Sequence, residues 1–112
     1  MSSKVVIATT EKIPGYDVSE VLGVVSAPVA MARWFGADLI AGFKDLIGGR
    51  VGRYEELMRN ATNEALERLK VEASKLGADA VIGVKMFSPE IGGHHNIGEV
   101  VVYGTAVRLT KV

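Results

Sequence analysis

Residues 54–76 of the chain read YEELMRNATNEALERLKVEASKL, and this stretch decides the fold. Its apolar side chains recur every three or four residues, a spacing that places them on one face of an α-helix. The stripe consists of Tyr54, Leu57, Met58, Ala61, Ala65, Leu69, Ala73 and Leu76. At 1.5 Å per residue the helix would be about 35 Å long. A helix with a single apolar face of that length must bury it against another element.

The predicted helix also carries local signals of its own. Glu55 and Arg59 form a favourable pair four residues apart. Glu64 and Arg68 repeat this spacing about two and a half turns further along. Gly77 follows the stripe directly, and glycine is the residue type that most often ends a helix in a left-handed conformation. These signals predict that the helix ends at Gly77, and the alanines of the stripe allow it to approach a sheet closely.

Four segments are predicted to be β-strands because they are short and rich in β-branched or alternating apolar residues. They span residues 4–9, 16–30, 79–87 and 99–111. Between the first two, Pro14-Gly15 is the signal of a type II turn. Gly23 indicates a bulge or bend and Pro28 a strand end in the second strand, and Gly104 indicates a bulge or a close contact in the last one. The third strand has an unbroken apolar face, which we assign to the core, formed by Ala80, Ile82, Val84 and Met86.

A second, shorter helix is predicted over residues 36–47, where the apolar side chains again recur at helical spacing. They are Leu39, Ile40, Phe43, Leu46 and Ile47. Gly48-Gly49 would end this helix. The element order is therefore β-β-α-α-β-β. It predicts an α+β fold, a two-layer sandwich in which an antiparallel sheet carries the long helix on one face.

The second face of that sheet is expected to be partly apolar. Residues 16–30 carry apolar side chains on both sides of the strand, with Val18, Leu22 and Val24 on one side and Val21, Val25 and Val29 on the other. In the chain of 112 residues 48% are hydrophobic, and the mean hydropathy is +0.24. One helical layer leaves such a face in water. We therefore expect identical copies of the chain to cover it, or to cover the strand edges.

The composition argues against several other functions. The 13 basic residues are balanced by 13 acidic ones, so the chain lacks the positive field that nucleic acids or anionic membranes attract. The absence of cysteine excludes disulfides, thiolate metal sites and thiol nucleophiles. The first residues lack a secretory apolar core, and no run of about 18 apolar residues is present. These features predict a cytoplasmic protein that binds neither nucleic acid nor a membrane.

Several short blocks, in this order and spacing, resemble the YbjQ-like family of bacterial and archaeal proteins, which has no established activity. The blocks are Thr9-Thr10, Ile13-Pro14-Gly15-Tyr16, Leu22-Gly23-Val24-Val25, Ile47-Gly48-Gly49-Arg50, Tyr54-Glu55, Gly77-Ala78-Asp79-Ala80-Val81-Ile82-Gly83-Val84 and Tyr103-Gly104-Thr105-Ala106-Val107. The similarity runs from about residue 5 to residue 110. The resemblance implies a single domain with a dodecin-like α/β subunit that assembles into a ring, a pentamer. It also implies heavy-metal binding, without a set of ligands.

The two histidines of the chain, His94 and His95, lie side by side in a glycine-rich loop between Glu90 and Glu99. Imidazole and carboxylate groups are common ligands of divalent metal ions. Adjacent residues of an extended segment point in opposite directions, however, so one ion would accept both only if the loop bends. The loop is thus a candidate site for a divalent or heavy-metal ion, and its alternative reading is a solvated connection between two strands.

A second candidate site is the glycine-rich stretch Gly48-Gly49 followed by Arg50 and Arg53, just before the long helix. Backbone N–H groups at a helix start favour an anion, and the two arginines are suited to a phosphate or carboxylate. The phosphate-binding pattern GxxxxGK[ST] is missing, so no nucleotide is implied. A turn whose arginines pair with acids of another subunit explains the stretch equally well. Trp34-Phe35 would line either a pocket or a seam between subunits.

No catalytic motif emerges from the sequence, since the GxSxG nucleophile elbow is missing and Glu55-Glu56 are typical first-turn helix acids. The leading hypothesis is a non-enzymatic, homo-oligomeric assembly or binding domain. The alternative is a metal-ion or small-anion-binding protein that uses His94 and His95, or Arg50 and Arg53. An enzyme is the third possibility.

Overall fold

The computed structural model describes residues 4–30, 51–88, 90–91 and 97–112. Its elements in chain order are β1 (Val6–Ile7), β2 (Tyr16–Ala30), α1 (Val51–Lys75), β3 (Ala80–Phe87), β4 (Glu90–Ile91) and β5 (Ile97–Lys111). The helix lies on one face of the sheet, mainly against β2 and β5. The predicted α+β architecture with one long helix on a sheet is therefore confirmed.

The apolar stripe of α1 forms the centre of the core. Ala61, Ala65, Leu69 and Ala73 are all 0% exposed, so the side chains at every fourth position meet the sheet. The helix ends as predicted, because Gly77 adopts a φ of 78°. The N–H of Gly77 donates to the carbonyl of Ser74 and that of Ala78 to the carbonyl of Ala73, at 3.0 and 3.1 Å. These two hydrogen bonds define a Schellman motif.

The sheet has the strand order β1-β3-β5-β2, with β4 beside β5. β2 and β3 both run antiparallel to β5, whereas β1 runs parallel to β3. The sheet is therefore mixed, and the prediction of an antiparallel sheet was wrong at β1. β1 pairs with β3, at the opposite edge from β2, and is held there because Val5 is buried in the core and the N–H of Val6 donates to the carbonyl of Asp79.

The turn between β1 and β2 has the predicted conformation. The N–H of Tyr16 donates to the carbonyl of Ile13 at 3.0 Å, and Gly15 has a φ of 87°. Pro14 and Gly15 thus occupy the two central positions of a type II turn, where proline and glycine are favoured. The turn does not join neighbouring strands, because β1 and β2 are separated by β3 and β5.

Two register shifts in β2 change which of its side chains share a face. They lie between Val18 and Glu20 and between Val21 and Gly23, the second as predicted at Gly23. Each shift inserts one residue, so the alternation of sides is reset. Val18, Val21 and Val24 consequently share the face that points away from α1, whereas Val25 lies under the helix. The prediction that Val21 and Val25 share a face was therefore wrong.

A similar shift in β3 overturns the predicted core face of that strand. The shift lies between Ile82 and Lys85, next to Gly83, which has a φ of 62°. Val81 is 0% exposed and belongs to the core, although it was placed on the other face. Met86, which was assigned to the core, is 50% exposed. The extra residue at the shift puts Ala80 and Ile82 on the side away from the helix. Val84 keeps its predicted place in the core, and Met86 keeps the helix side, opposite the buried Val102, but is exposed there.

The short helix predicted over residues 36–47 lies outside the described residues, as do Trp34 and Phe35. Within the described ranges the structure has one helix, and the order of the elements is β-β-α-β-β-β rather than β-β-α-α-β-β. The additional strand is β4, a two-residue segment that pairs with the start of β5 through Glu90 opposite Gly98 and Ile91 opposite Ile97.

Candidate functional site

The face of the sheet that points away from α1 is the main candidate for a functional surface. Its residues follow from the strand register, since directly opposed residues share a side. Val24 lies opposite Thr105, and Pro28 lies opposite Val101. Their neighbours Val25, Ala27, Val100 and Val102 are buried under the helix. The alternate residues of the three long strands therefore face the other way, and we call this surface the open face.

The open face is apolar and accessible over much of its length. Val24 is 77% exposed and Val21 is 64% exposed, which are high values for valines in a regular strand. The other exposed large apolar side chains on this face are Val6, Tyr16, Val18, Phe87 and Tyr103. Ala80 and Val107 belong to the same side by register, yet both are fully buried. The accessible part thus lies along β2 and at the Phe87 end of β3.

An aromatic pair marks one end of the open face. The rings of Phe87 and Tyr103 meet edge to face, with centroids 6.0 Å apart and planes at 72°. This geometry is favourable for aromatic rings and leaves both rings partly in water. Lys85 lies directly opposite Tyr103 in the register and is exposed beside the pair. The pair offers flat apolar area of the kind that is enriched at protein interfaces.

The outer edge of β2 is a second accessible feature. β2 is fifteen residues long and is the last strand of the sheet in the described part of the chain. A groove of about 380 Å³ runs between this edge and α1. It is lined by Ser26, Ala27, Pro28, Arg68, Val71 and Glu72. Val71, the exposed valine of the helix, is 42% exposed in it.

Arg68 connects the helix to the edge strand inside this groove. Its guanidinium donates to the carbonyl oxygen of Pro28 at 3.3 Å and lies 2.7 Å from the carboxylate of Glu64. The Glu64–Arg68 pair was predicted from its spacing and is confirmed. Proline lacks a backbone donor, so Pro28 interrupts the row of hydrogen-bonding groups on the edge. Proline and charged side chains are common means of protecting an edge strand.

A larger groove of about 650 Å³ lies on the opposite side of the helix, beside β1. Its lining is mostly apolar, from Val5, Val6, Ile7 and Leu66, and its rim carries Asn63, Glu67 and Lys70. The amine of Lys70 lies 3.1 Å from the carboxylate of Glu67, so the charges of the rim neutralise each other. The groove offers apolar area without a free charge that would select a particular ligand.

The ion pair between Arg108 and Glu20 is structural. Their side chains are 3.3 Å apart, across the register between β2 and β5. The guanidinium of Arg108 also lies against Gly77 at the end of α1, where a cation is favoured by the helix dipole. Nearby, a carboxylate oxygen of Asp79 accepts from the N–H of Leu109 at 2.8 Å. These contacts tie the helix end to the sheet.

The metal and anion sites that the sequence predicts fall largely outside the described residues. His94 and His95 lie outside the described residues, and so does Arg50. Arg53 belongs to the first turn of α1. Among the residues that the structure describes, no three histidine, aspartate or glutamate side chains lie close enough together to hold a metal ion. The metal and anion assignments therefore stay predictions.

In the described ranges, no helix has the combination of length and hydropathy that is required to cross a bilayer. The features that sequence reasoning missed are the core position of Val81, the exposure of Met86 and the edge of β2 that is free in the described part of the chain. Gly83 was the available signal for Val81, since a glycine inside a strand often marks a bulge. The strand order, which decides which edge is free, leaves no such signal in a single sequence.

The fold and the open face define a class: a two-layer α+β protein whose sheet has one face covered by a helix and one apolar face accessible. The chain belongs to the YbjQ family, whose sequence model is described as "Putative heavy-metal-binding" and matches residues 5–110. The resemblance seen in the sequence is thereby confirmed.

Similar proteins occur in bacteria and archaea. A "UPF0145 protein" of Thermotoga maritima is 50% identical over 96% of this chain and 99% of its own. One from Archaeoglobus fulgidus is 42% identical over 97% of this chain and 99% of its own. A crystal structure of a protein of unknown function from Pediococcus pentosaceus matches 96% of this chain and 98% of its own, at 18% identity and a TM-score of 0.48. That last similarity is too low to support an argument, and the family assignment rests on the sequences.

Proposed function

We propose that this protein is a non-enzymatic assembly domain that forms homo-oligomers by burying its open face against other copies of itself. The observation that carries the proposal is the row of exposed valines on β2, above all Val21 and Val24. Large contiguous apolar surfaces are uncommon on soluble monomers and mark sites of association. The family resemblance adds the form of the assembly, a closed ring of five subunits, and the sequence composition adds its location, the cytoplasm.

A second copy of the chain is the partner that the surface fits best. The formal net charge of the chain is zero, so two copies do not repel each other at long range. The open face carries few charges of its own, namely Lys85 near the aromatic pair, Glu99 near the start of β5 and Lys111 at its end. It also continues to the free edge of β2, so one contact can cover both apolar side chains and edge.

Replacing Val21 and Val24 together by lysine tests this proposal. Two charges on the open face would have to be desolvated in the contact, so we expect the oligomer to dissociate into monomers at micromolar concentration. Both side chains are exposed, and the subunit itself should therefore stay folded. Sedimentation velocity gives the mass, and circular dichroism reports whether the fold is retained.

Val112→Lys is the matched control, because this valine is 82% exposed and is the last residue, beyond the end of β5. It should leave the oligomer intact. A wild-type protein that sediments as a monomer at about 10–100 μM, well above a micromolar dissociation constant, contradicts self-assembly. A double-lysine variant that retains its full oligomeric mass contradicts the assignment of the open face.

The family description favours a second candidate function, the binding of a metal ion. We propose His94 and His95 as its ligands, with Glu90 and Glu99 as neighbouring carboxylates. Without cysteine, imidazole nitrogens are the softest donors that remain apart from methionine sulfur. Calorimetric titration with Zn²⁺, Ni²⁺ and Cu²⁺ should show binding that is lost in His94→Ala/His95→Ala. Equal heats in the wild type and the double variant would rule out the histidines as ligands.

A small anion held by Arg50 and Arg53 is the corresponding proposal for the start of α1. It is supported by the sequence pattern of glycines and arginines before a helix, which favours phosphate or carboxylate groups.

A further inference from the structure

The geometry points to a head-to-tail contact between copies, in which residues 26–30 of β2 lie along residues 85–87 of β3 in the next copy. This inference rests on the proposed self-assembly and adds to the burial of the open face a second contact, between strand edges. It concerns two different edges of the same sheet, so each copy offers one edge to each neighbour. Contacts of this heterologous kind produce closed rings when the rotation between copies closes.

The two edges lie at the same level of the sheet. Ser26 and Lys85 are both opposite Tyr103, and Ala27 and Met86 are both opposite Val102. At this level β5 is therefore the central strand of three, with β2 on one side and β3 on the other. In the described part of the chain, β1 pairs with β3 at Ala80 and Val81, and the segment after β1 bonds to β3 as far as Val84. From Lys85 to Phe87, β3 is thus a free edge like β2.

The direction of the strands allows the two edges to meet. β2 and β3 each run antiparallel to β5, so they point the same way. A rotation between copies about an axis along the strands keeps this direction, and β2 of one copy then lies parallel to β3 of the next. The free part of β2 is regular, because both of its register shifts lie before Val24. A regular, extended edge is suited to pairing, whereas bulges discourage it.

The side chains at the two edges are complementary. Met86 shares the helix side of the sheet with Val102 but is 50% exposed, so it projects as an apolar side chain at the β3 edge. The groove at the β2 edge is concave, and Val71 and Ala27 contribute to its apolar lining. A strand placed beside β2 brings Met86 to this groove. Methionine is flexible and fills irregular apolar spaces well.

The backbone ladder of this contact is interrupted at Pro28. Its carbonyl oxygen accepts from Arg68, and its nitrogen has no hydrogen to donate. The packing of Met86 against Val71 therefore holds the contact at this level. Ser26 and Ala30 offer backbone groups on either side of the interruption. On the open face, Phe87 of the next copy comes beside Pro28, and the apolar surface becomes continuous across the contact.

Single cysteines test the contact, because the chain has none of its own. Ser26→Cys places a thiol at the β2 edge, and Lys85→Cys places one at the β3 edge. Both positions are exposed and lie on the open face. The two variants, with tags of different size, are produced in one cell and purified as mixed oligomers. They are treated with an oxidant or with a short bismaleimide, which tolerates a shift of two residues along the strand, and separated by denaturing electrophoresis.

We expect one covalent dimer, which contains both tags, and no crosslinked product from either variant alone. The double variant Ser26→Cys/Lys85→Cys should give a ladder of multimers, because each copy then carries both halves of the contact. Lys75→Cys, on the exposed end of α1, is the control and should not crosslink. A dimer of Ser26→Cys with itself shows that two β2 edges meet, and this overturns the inference.

Light scattering on the same samples separates the inference from the proposed function. Oligomers without any crosslink between the two variants overturn the head-to-tail contact and leave self-assembly intact. Monomers overturn both.

A pair of lysine substitutions tests the proposed side-chain packing: Val71→Lys should lower the oligomeric mass, and Leu76→Lys should not. Both residues lie near the end of the helix and are 42% and 44% exposed, but the groove is lined by Val71 alone of the two. Equal masses for the two variants contradict the packing of Met86 against Val71.

Discussion

Gly104 lies in the middle of β5, where the fold leaves no room for a side chain larger than a hydrogen atom. A Cβ atom at this position would lie 2.7 Å from Cγ1 of Val81 and 3.0 Å from the carbonyl oxygen of Ile82. Gly104→Ala therefore forces the two central strands apart. We expect the variant to lose about 1–3 kcal/mol of unfolding free energy, as for other overpacked cores. The measurement is the urea midpoint at a fixed protein concentration, since association adds to apparent stability.

A second substitution separates this steric cause from a general weakness of the strand. Val81→Ala removes the nearest atom, so the double variant Gly104→Ala/Val81→Ala should be more stable than the sum of the two single effects predicts. The contact with the carbonyl oxygen of Ile82 remains, and relief is therefore partial. Strict additivity of the two single changes would show that the clash with Val81 is not the cause.

The glycines also show which single-residue features the sequence predicts and which it does not. Gly77 and Gly104 were predicted to end the helix and to lie at a close contact, and both predictions are confirmed. Gly83 was read as an ordinary strand residue, and its positive φ shifts the register of β3. One missed glycine was enough to put Ala80 and Ile82 on the helix side and Val81 on the other side, whereas Val84 and Met86, after the shift, were assigned to the correct side. Alternation within a strand is reliable only between such irregular positions.

At the scale of elements, the helix could be predicted because its signal is local. The 3.6-residue period, the final glycine and the spaced ion pairs all lie within the segment itself, and the observed helix extends from Val51 to Lys75. The run of β2 from residue 16 to residue 30 was predicted for the same reason, but Pro28, which was expected to mark a strand end, lies inside the strand. The position of β1 was not, because strand pairing depends on contacts far apart in the sequence. A strand of two residues at an edge is too short to carry a sequence pattern that predicts which strand it pairs with.

The sequence predicted that the candidate site is an apolar sheet face, but not which residues form it. The sequence indicated an apolar second sheet face, because valines occur on both sides of residues 16–30. It did not show that Val18, Val21 and Val24 would line up on one side. This alignment needs both register shifts of β2, which add one residue each. The exposed row on β2 is therefore a product of local irregularity as well as of composition.

At the scale of the whole molecule, the two layers have unequal lengths. Strands β2 and β5 have fifteen residues each, about 50 Å at most. The helix has twenty-five residues, about 37 Å. A single helix of this length and width cannot cover such strands from end to end, nor reach their other face. Within the described residues, some apolar area of these strands is therefore not covered by the helix, and this area is the physical basis of the proposed assembly.

The chemistry of the open face predicts how the assembly responds to temperature and salt. Apolar contacts weaken on cooling, because the hydrophobic free energy falls as temperature decreases. Ion pairs would instead weaken as salt screens them. We expect the oligomer to dissociate more at about 5 °C than at about 35 °C, and to keep its mass between low salt and about 0.5 M NaCl. Sedimentation velocity at several concentrations measures both effects. An assembly that is unaffected by cooling and dissociates in salt would be held by charges, such as those on the rims of the two grooves, and the valines of β2 would not be its contact surface.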